Sequence, residues 1–292
     1  MRLTLAQLSQ SGGNVSENVD RAVDAVTEAA SAGADLVVLP ELFSVGYFAF
    51  DSYARTAEAL DGPTLSRLSD LAADLGVGLL AGSVVEDLAA SAAAGFDVPA
   101  AEGYANTAVL FGREGETLSI YRKHHLFGYE SAEARLLTPG ERLSTASFEG
   151  FTVGVSTCYD LRFPELYRAY ADLGVTLVLV PSAWPYPRVE HWQVLPRARA
   201  VENLTFVAAA NGAGDVEEST LLGRSTIYDP WGTPLAAAGD DPTLVSATID
   251  PDRAAEVREE FPSLSDRRYS AADDALPEDG GVGSGPGDDR HR

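Results

Sequence analysis

Cysteine, histidine and lysine are scarce in this chain of 292 residues, and the scarcity of the first two argues against several classes of site. The single cysteine, Cys158, rules out an internal disulfide, a four-cysteine zinc site and a cysteine-ligated iron–sulfur cluster. The chain has only four histidines, which argues against a histidine-rich metal site. Lysine occurs once, as Lys123, and the other 20 of the 21 basic residues are arginine. We therefore expect no metal site.

The sequence also has no long apolar run and no N-terminal signal pattern. No apolar stretch reaches the roughly 18 residues that a transmembrane helix needs. The first residues, MRLTLAQLSQSGG, lack a charged segment followed by an apolar segment and a cleavage site. We therefore expect a cytoplasmic protein that does not bind membranes.

Positive charge is outnumbered two to one. Asp and Glu total 44 against 21 Lys and Arg, which gives a formal net charge of −23 and a pI near 4.4. This balance argues against nucleic acid and anionic membranes as partners. Abundant acid with almost no lysine resembles proteins from salt-saturated cytosols, so we expect an acidic, salt-adapted surface. A codon bias that replaces Lys with Arg is an alternative explanation.

The composition, 45% hydrophobic and 22% charged, is typical of a globular protein. Apolar runs and helical spacings alternate along the chain. They predict strands at 2–8, 35–39, 76–86, 106–111, 117–122, 151–157, 175–180, 204–211, 222–228 and 244–249, and helices at 14–32, 63–75, 164–173, 190–203 and 251–260. No linker divides residues 1–270, so we expect one α/β domain of more than two layers. We interpret residues 87–103 as a surface insertion and 271–292 as a disordered, acidic, Gly-rich tail.

Three residues with reactive side chains each follow an apolar strand: Glu41, Lys123 and Cys158. Strand ends form ligand crevices in α/β sheets, so a carboxylate, an ammonium and a thiol can converge in one pocket. The carboxylate can act as general base, the thiol as nucleophile and the ammonium as stabiliser of an oxyanion. The alternatives are a buried structural cysteine and a solvated glutamate. The single lysine in an arginine-rich chain favours a site that requires a compact ammonium.

The segments around these residues resemble motifs of the nitrilase superfamily of carbon–nitrogen hydrolases. The matching segments are Pro40-Glu41, Tyr121-Arg122-Lys123-His124-His125-Leu126-Phe127, Cys158-Tyr159-Asp160-Leu161-Arg162-Phe163-Pro164-Glu165, Pro181-Ser182-Ala183-Trp184, the run from Arg197 to Asn203, Asn211, and the segments Gly223-Arg224-Ser225 and Asp229-Pro230-Trp231-Gly232. They occur in the family's order and extend the resemblance over roughly residues 2 to 262. Together they are far more specific than any one of them.

The resemblance implies a single-domain, four-layer α-β-β-α sandwich and a Glu–Lys–Cys triad that works without a cofactor. Glu41 would be the general base and Cys158 the nucleophile that forms a thioester. Lys123 and the backbone N–H of Tyr159 would hold the oxyanion. The family carries a second glutamate between the lysine and a Pro-Gly turn. Glu133 fits that spacing better, and Glu130 is the alternative.

The residues after the cysteine favour an amidase that releases ammonia from a small linear amide. Tyr159-Asp160 stands where nitrile-cleaving members typically carry Trp-Glu, and Leu161-Arg162 stands where carbamoyl-amino-acid hydrolases carry two arginines. We expect Tyr159 and Trp184 to line the pocket, with core packing as their alternative role. Arg162 is a candidate for binding a substrate carboxylate, or for an ion pair with Glu165 or another acid.

Three other functions are alternatives to the amidase. An N-carbamoyl-amine or ureido-acid hydrolase is the second hypothesis, and a nitrilase or a catalytically idle scaffold is less favoured. The resemblance also implies a homodimer or a larger homo-oligomer, packed through helices on one face.

Overall fold

The central layers of the molecule are β-sheets. The computed structural model describes residues 1–129 and 131–268. The described strands are β1 (Arg2–Gln7), β2 (Leu36–Val38), β3 (Gly78–Asp87), β4 (Tyr104–Phe111), β5 (Thr117–Arg122), β6 (Thr145–Phe148), β7 (Phe151–Val155), β8 (Leu177–Ser182), β9 (Phe206–Asn211), β10 (Ala213–Val216), β11 (Ser219–Leu222), β12 (Thr226–Tyr228), β13 (Pro234–Ala237) and β14 (Thr243–Thr248). They form two six-stranded sheets, in the orders β14-β1-β2-β3-β4-β5 and β13-β12-β9-β8-β7-β6, and a separate β10-β11 hairpin.

Two of the longer helices begin at a proline. The described α-helices are α1 (Val15–Ser31), α2 (Tyr53–Thr56), α3 (Pro63–Leu75), α4 (Leu88–Ala93), α5 (Glu133–Leu136), α6 (Pro164–Asp172), α7 (Val189–Asn203) and α8 (Arg253–Glu260). Pro63 and Pro164 occupy the first turns of α3 and α6, where a missing N–H costs nothing. None of these helices is long and apolar enough to span a bilayer.

Apolar side chains alternate between two faces of each central strand. In β2, Leu36 and Val38 point into the core between the two sheets, whereas Val37 points outward toward α1 and α3. In β8, Leu179 joins the same central core, and Val178 packs on the side of α6 and α7. The continuous apolar runs in the sequence arise because both faces of these strands are covered.

The layers therefore run helix, sheet, sheet, helix. Strands β1, β2 and β3 pair in parallel in the first sheet, and β7, β8 and β9 pair in parallel in the second. The predicted single-domain, four-layer α-β-β-α sandwich is confirmed.

The structure contains short elements that the sequence does not predict, namely α2, α5, β6, β13 and the β10-β11 hairpin, and it differs from the prediction in two further places. The predicted strand at 222–228 divides at Gly223 and Arg224, both of which adopt positive φ, so that only β12 joins the main sheet. Residues 87–103 connect β3 to β4, but they contain α4, where Asp87 Oδ1 accepts the N–H of Ala90 at 3.0 Å and Leu88 is fully buried. The predicted tail at 271–292 lies outside the described residues.

Candidate active site

Three strand ends bring Glu41, Lys123 and Cys158 together. Glu41 follows β2, Lys123 follows β5 directly and Cys158 follows β7. The Lys123 Nζ donates to Glu41 Oε1 at 2.8 Å, and the backbone N–H of Glu41 donates to the Ser182 carbonyl, which ties the two sheets together here. The exposed fraction is 0% for Glu41, 1% for Lys123 and 9% for Cys158, so the cysteine is the most exposed of three buried residues.

Glu133 completes the surroundings of the ammonium. Its two carboxylate oxygens accept from Lys123 Nζ at 2.8 and 3.0 Å. The Tyr47 hydroxyl at 3.0 Å and the Phe127 N–H at 2.7 Å also donate to this carboxylate. The alternative residue, Glu130, lies outside the described residues. With donors on both oxygens, Glu133 is arranged to hold Lys123 rather than to accept a proton from a substrate.

Asn106 links the two carboxylates. Its Nδ2 donates to Glu41 Oε1 at 2.9 Å and to Glu133 Oε1 at 3.2 Å. The other oxygen of Glu41, Oε2, accepts the Ala183 N–H at 2.9 Å. Because Oε1 is occupied by Lys123 and Asn106, Oε2 is the oxygen with free capacity to accept a proton.

Burial and charge set the protonation states of the cluster. Burial raises the pKa of Glu41, and the nearby Lys123 ammonium only partly opposes this. Burial alone would lower the pKa of Lys123, but Glu133 and Glu41 outweigh it and raise that pKa well above its ordinary value. Burial and then the charge of Glu41 raise the pKa of the Cys158 thiol well above its ordinary value. The thiol is therefore neutral at rest, and its attack on a substrate requires a base.

The backbone turns sharply at Cys158. Its φ is 47°, in the left-handed region that a residue with a Cβ rarely adopts, and a tight helical turn over Cys158–Arg162 follows. Such a conformation persists only where the surrounding contacts hold it. The turn presents the side chain at the rim of the cluster.

A small cleft of about 30 Å³ opens above the thiol. It is lined by Tyr47, Phe48, Lys123, Phe127, Cys158, Tyr159, Arg162, Ala183, Trp184, Pro185 and Arg188. Tyr159, Trp184 and Arg162 therefore all lie at the cleft. Trp184 is also packed and anchored, because its Nε1 donates to the Arg188 carbonyl at 3.1 Å.

Arg162 stacks on aromatic rings at this cleft. Its guanidinium lies 4.9 Å from the ring centroid of Trp184 and 5.6 Å from that of Tyr159. Among the described residues, no carboxylate lies within 4 Å of it, Glu165 included, so the ion-pair alternative is not observed there. Arg188, a second guanidinium at the cleft, lies over Phe127 at 5.5 Å.

Sequence reasoning missed Tyr47, Asn106 and Arg188 as parts of this site. The sequence pattern predicts only that Asn106 begins a strand, although an amide inside an apolar strand is a signal of a buried polar contact. Tyr47 belongs to the aromatic-rich segment 47–50, which has neither helical nor strand periodicity. Over residues 1–129 and 131–268, no group of three or more His, Cys, Asp or Glu is arranged to hold a metal ion.

The sequence of this chain is similar to those of known enzymes. The sequence profile of the carbon–nitrogen hydrolase family matches residues 2–259. The chain is 40% identical over 240 residues to the 2-oxoglutaramate amidase of Paenarthrobacter nicotinovorans, which covers 80% of this chain and 79% of that protein.

Two solved structures share the fold along almost their whole length. Saccharomyces cerevisiae Nit3, a member of branch 10 of the nitrilase superfamily, superposes with a TM-score of 0.81 at 30% identity, over 92% of this chain and 97% of that chain. A Glu-to-Gln mutant of the amidase from Nesterenkonia sp. AN1 superposes with a TM-score of 0.76 at 31% identity, over 90% and 98% of the two chains. In that structure acrylamide has added to the active-site cysteine.

Proposed function

The chain belongs to the carbon–nitrogen hydrolase family and is an amidase of the nitrilase superfamily, and from this premise we propose that Glu41, Lys123 and Cys158 perform its chemistry. The enzyme hydrolyses the C–N bond of a small amide through a cysteine thioester and releases ammonia. The assignment of these roles rests on two observations: Lys123 and Cys158 line one cleft, and Lys123 Nζ contacts Glu41 Oε1 at 2.8 Å.

The first half of the reaction forms the thioester. Glu41 Oε2 accepts the thiol proton of Cys158, and the sulfur attacks the amide carbon. Lys123 lines the cleft beside Cys158, and its ammonium is the first proposed donor to the oxyanion. The backbone N–H of Tyr159 is the second proposed donor. Glu41 then protonates the amide nitrogen, the C–N bond breaks and ammonia leaves.

The second half regenerates the thiol. Glu41 takes a proton from water, and the resulting hydroxide attacks the thioester carbon. The carbon–sulfur bond breaks, the carboxylic acid product leaves and Cys158 recovers its proton from Glu41. Glu133 takes no proton in this scheme and acts as a positioning residue for Lys123, because both its oxygens already have donors.

We propose a linear amide with a carboxylate at its far end as the substrate. The observation that carries this proposal is the pair of guanidiniums, Arg162 and Arg188, facing the same cleft as Cys158. Burial lowers the pKa of Arg162, and the charge of Arg188 lowers it further, so the two cations repel each other. An anion between them relieves this repulsion. The name of the Paenarthrobacter relative, 2-oxoglutaramate amidase, supports the proposal, since 2-oxoglutaramate has an amide at one end and a carboxylate at the other.

An ammonia-release assay on a panel of substrates tests this function. The panel holds 2-oxoglutaramate, a neutral amide of equal length, a carbamoyl amino acid and a nitrile. We expect fastest turnover of 2-oxoglutaramate and no turnover by Cys158→Ala. Arg162→Gln should lower kcat/KM for 2-oxoglutaramate by about 10- to 100-fold, the worth of one charge-assisted hydrogen bond, and spare the neutral amide. Arg67→Gln, an exposed change on α3, is the matched control.

The panel also separates the alternatives. Release of carbon dioxide together with ammonia from the carbamoyl amino acid, faster than any amide turnover, would favour the carbamoyl hydrolase. Unchanged turnover in Cys158→Ala would contradict the mechanism. Equal loss on charged and neutral amides in Arg162→Gln would contradict the carboxylate site.

We further propose that the enzyme works in the cytoplasm as a homodimer or larger homo-oligomer. Large apolar side chains exposed on α7, Val194 at 56% and Val201 at 48%, support an interface on this face of the sandwich. Trp231 and Phe261 form a second exposed apolar pair, with ring centroids 5.9 Å apart. The net charge of −23 supports adaptation to high salt.

A further inference from the structure

A fully buried carboxylate that takes no part in the proposed chemistry lies close to the reacting groups. Asp160 is 0% exposed, and each of its oxygens has two donors. Oδ2 accepts from the Tyr121 hydroxyl at 2.6 Å and from the Thr157 N–H at 2.8 Å. Oδ1 accepts from the backbone N–H of His125 at 3.0 Å and faces His125 Nδ1 at 2.7 Å. Four donors satisfy the buried charge without a lysine or an arginine.

Two of the partners flank the lysine. Tyr121 lies two residues before Lys123 and His125 lies two residues after it. Tyr121 belongs to β5, and His125 belongs to the irregular segment that follows the strand. The Asp160 carboxylate therefore holds the chain on both sides of the residue that presents the ammonium.

The same carboxylate flanks the cysteine. Thr157 directly precedes Cys158, and Asp160 follows Cys158 by two residues. The contact between Asp160 and the Thr157 N–H closes the turn in which Cys158 adopts its φ of 47°. A residue with a Cβ stays in this region only when its surroundings determine it.

The His125 ring adds a second contact between the two segments. It stacks on Phe163, with ring centroids 3.7 Å apart and planes 9° from parallel. Neither Asp160 nor His125 lines the cleft above the thiol. Any effect of these residues on the reaction must therefore act through Lys123 and Cys158.

We propose that Asp160 and His125 are positioning residues, which fix the separation of the Lys123 ammonium from the Cys158 sulfur. The hydrogen bond from His125 Nδ1 to Asp160 carries this role, and the stack on Phe163 orients the ring. In this assignment His125 is the Nδ1–H tautomer or the imidazolium, because Asp160 Oδ1 can only accept. The proposal rests on the proposed function, since it needs Lys123 and Cys158 to be the reacting groups.

Two replacements of His125 separate the hydrogen bond from the stack. His125→Phe keeps an aromatic ring against Phe163 and removes the donor. His125→Asn restores a donor near the position of Nδ1 and removes the ring. We expect His125→Phe to lower kcat by about 10²-fold, the cost of a misplacement near 1 Å, with KM within about twofold of wild type. His125→Asn should recover kcat to within about tenfold.

His124→Phe is the matched control, because His124 stacks on Tyr121 and makes no hydrogen bond to Asp160. We expect its kcat to equal that of wild type. All rates are measured per mole of folded enzyme, with folded protein assessed by thermal unfolding of each variant.

Three outcomes would overturn the proposal. They are a kcat for His125→Phe equal to that of His124→Phe, a loss expressed in KM alone, or a His125→Asn variant as slow as His125→Phe. Cys158→Ala is assayed in parallel. If it is inactive while His125→Phe is fully active, the positioning role fails and the proposed function stands, whereas an active Cys158→Ala refutes the proposed function itself.

Discussion

At the residue scale, the site places one ammonium between two carboxylates. Lys123 Nζ lies 2.8 Å from an oxygen of Glu41 and 2.8 Å from an oxygen of Glu133, with the Tyr47 ring 5.4 Å away. A compact, three-donor ammonium fits this space, whereas the planar fork of a guanidinium is larger and directs its donors differently. This geometry gives a physical reason why a chain with 20 arginines keeps its one lysine here.

The raised pKa of Glu41 makes a prediction for the pH dependence of kcat/KM. The base acts only when ionised, so activity falls as the pH falls through its pKa. Because burial raises that pKa above the ordinary 4.5, we expect the acidic limb to lie above pH 4.5. Asn106→Ala should move the limb to still higher pH, since it removes an N–H that favours the ionised carboxylate.

The acidic limb of kcat/KM is read from initial rates between pH 4 and 8. Asn14→Ala, an exposed change on another part of the chain, serves as the control for asparagine loss. A limb in Asn106→Ala at or below the wild-type position would contradict the role given to Glu41.

The sequence predicts those site residues that directly follow apolar strands. Glu41, Lys123 and Cys158 stand at such ends, and the structure brings them together. The sequence does not predict Tyr47 and Asn106 as site residues, because their roles depend on contacts with residues that are distant along the chain. Tyr47 reaches Glu133 across 86 residues of sequence, and Asn106 meets Glu41 across 65. Spacing along a chain cannot indicate such contacts.

At the element scale, the apolar runs predict an α/β domain of more than two layers, because the central strands are covered on both faces, whereas the order of the four layers was implied by the family resemblance. The helices were predicted within one or two residues at α1, α3, α6 and α7. The exceptions are short elements such as α4, with six residues, and the β10-β11 hairpin. Elements this short show too few periods for a pattern to be recognised. They are fixed instead by caps and by contacts to the rest of the fold.

The helix layer over the first sheet should contribute to stability without affecting chemistry. Leu68 on α3 is fully buried in the cluster that joins α1, α3 and the outer face of the sheet. We expect Leu68→Ala to lower the free energy of unfolding by about 2–5 kcal/mol, from lost burial and a residual cavity. Its kcat should remain that of wild type, because Leu68 does not line the cleft above Cys158.

Chemical denaturation measures the free energy, and Asp70→Ala on the exposed side of α3 is the matched control, with an expected change within about 0.5 kcal/mol. Two results would contradict this account of the layers: a Leu68→Ala variant as stable as Asp70→Ala, or one that loses kcat while folded.

At the scale of the whole molecule, the charge of the chain and the charge of the cleft have opposite signs. The chain carries −23, yet Arg162 and Arg188 face the cleft. An anionic substrate is therefore repelled at long range and attracted at short range. Salt shortens the range of both effects, but the repulsion from distant surface carboxylates is screened first. High salt thus favours entry of an anion into this site.

The same charge makes the stability and assembly of the molecule depend on salt. The Debye length falls from about 10 Å at 0.1 M salt to about 3 Å at 1 M, so repulsion within and between subunits weakens. We expect the unfolding temperature and the mass measured by light scattering to rise from low to multimolar KCl. Sucrose is the control, since it favours burial without screening charge. Two results together would contradict the salt adaptation: an oligomer size that stays constant across the whole range, and an unfolding temperature that rises equally with sucrose and with KCl. Codon bias would then explain the arginine-rich, lysine-poor composition.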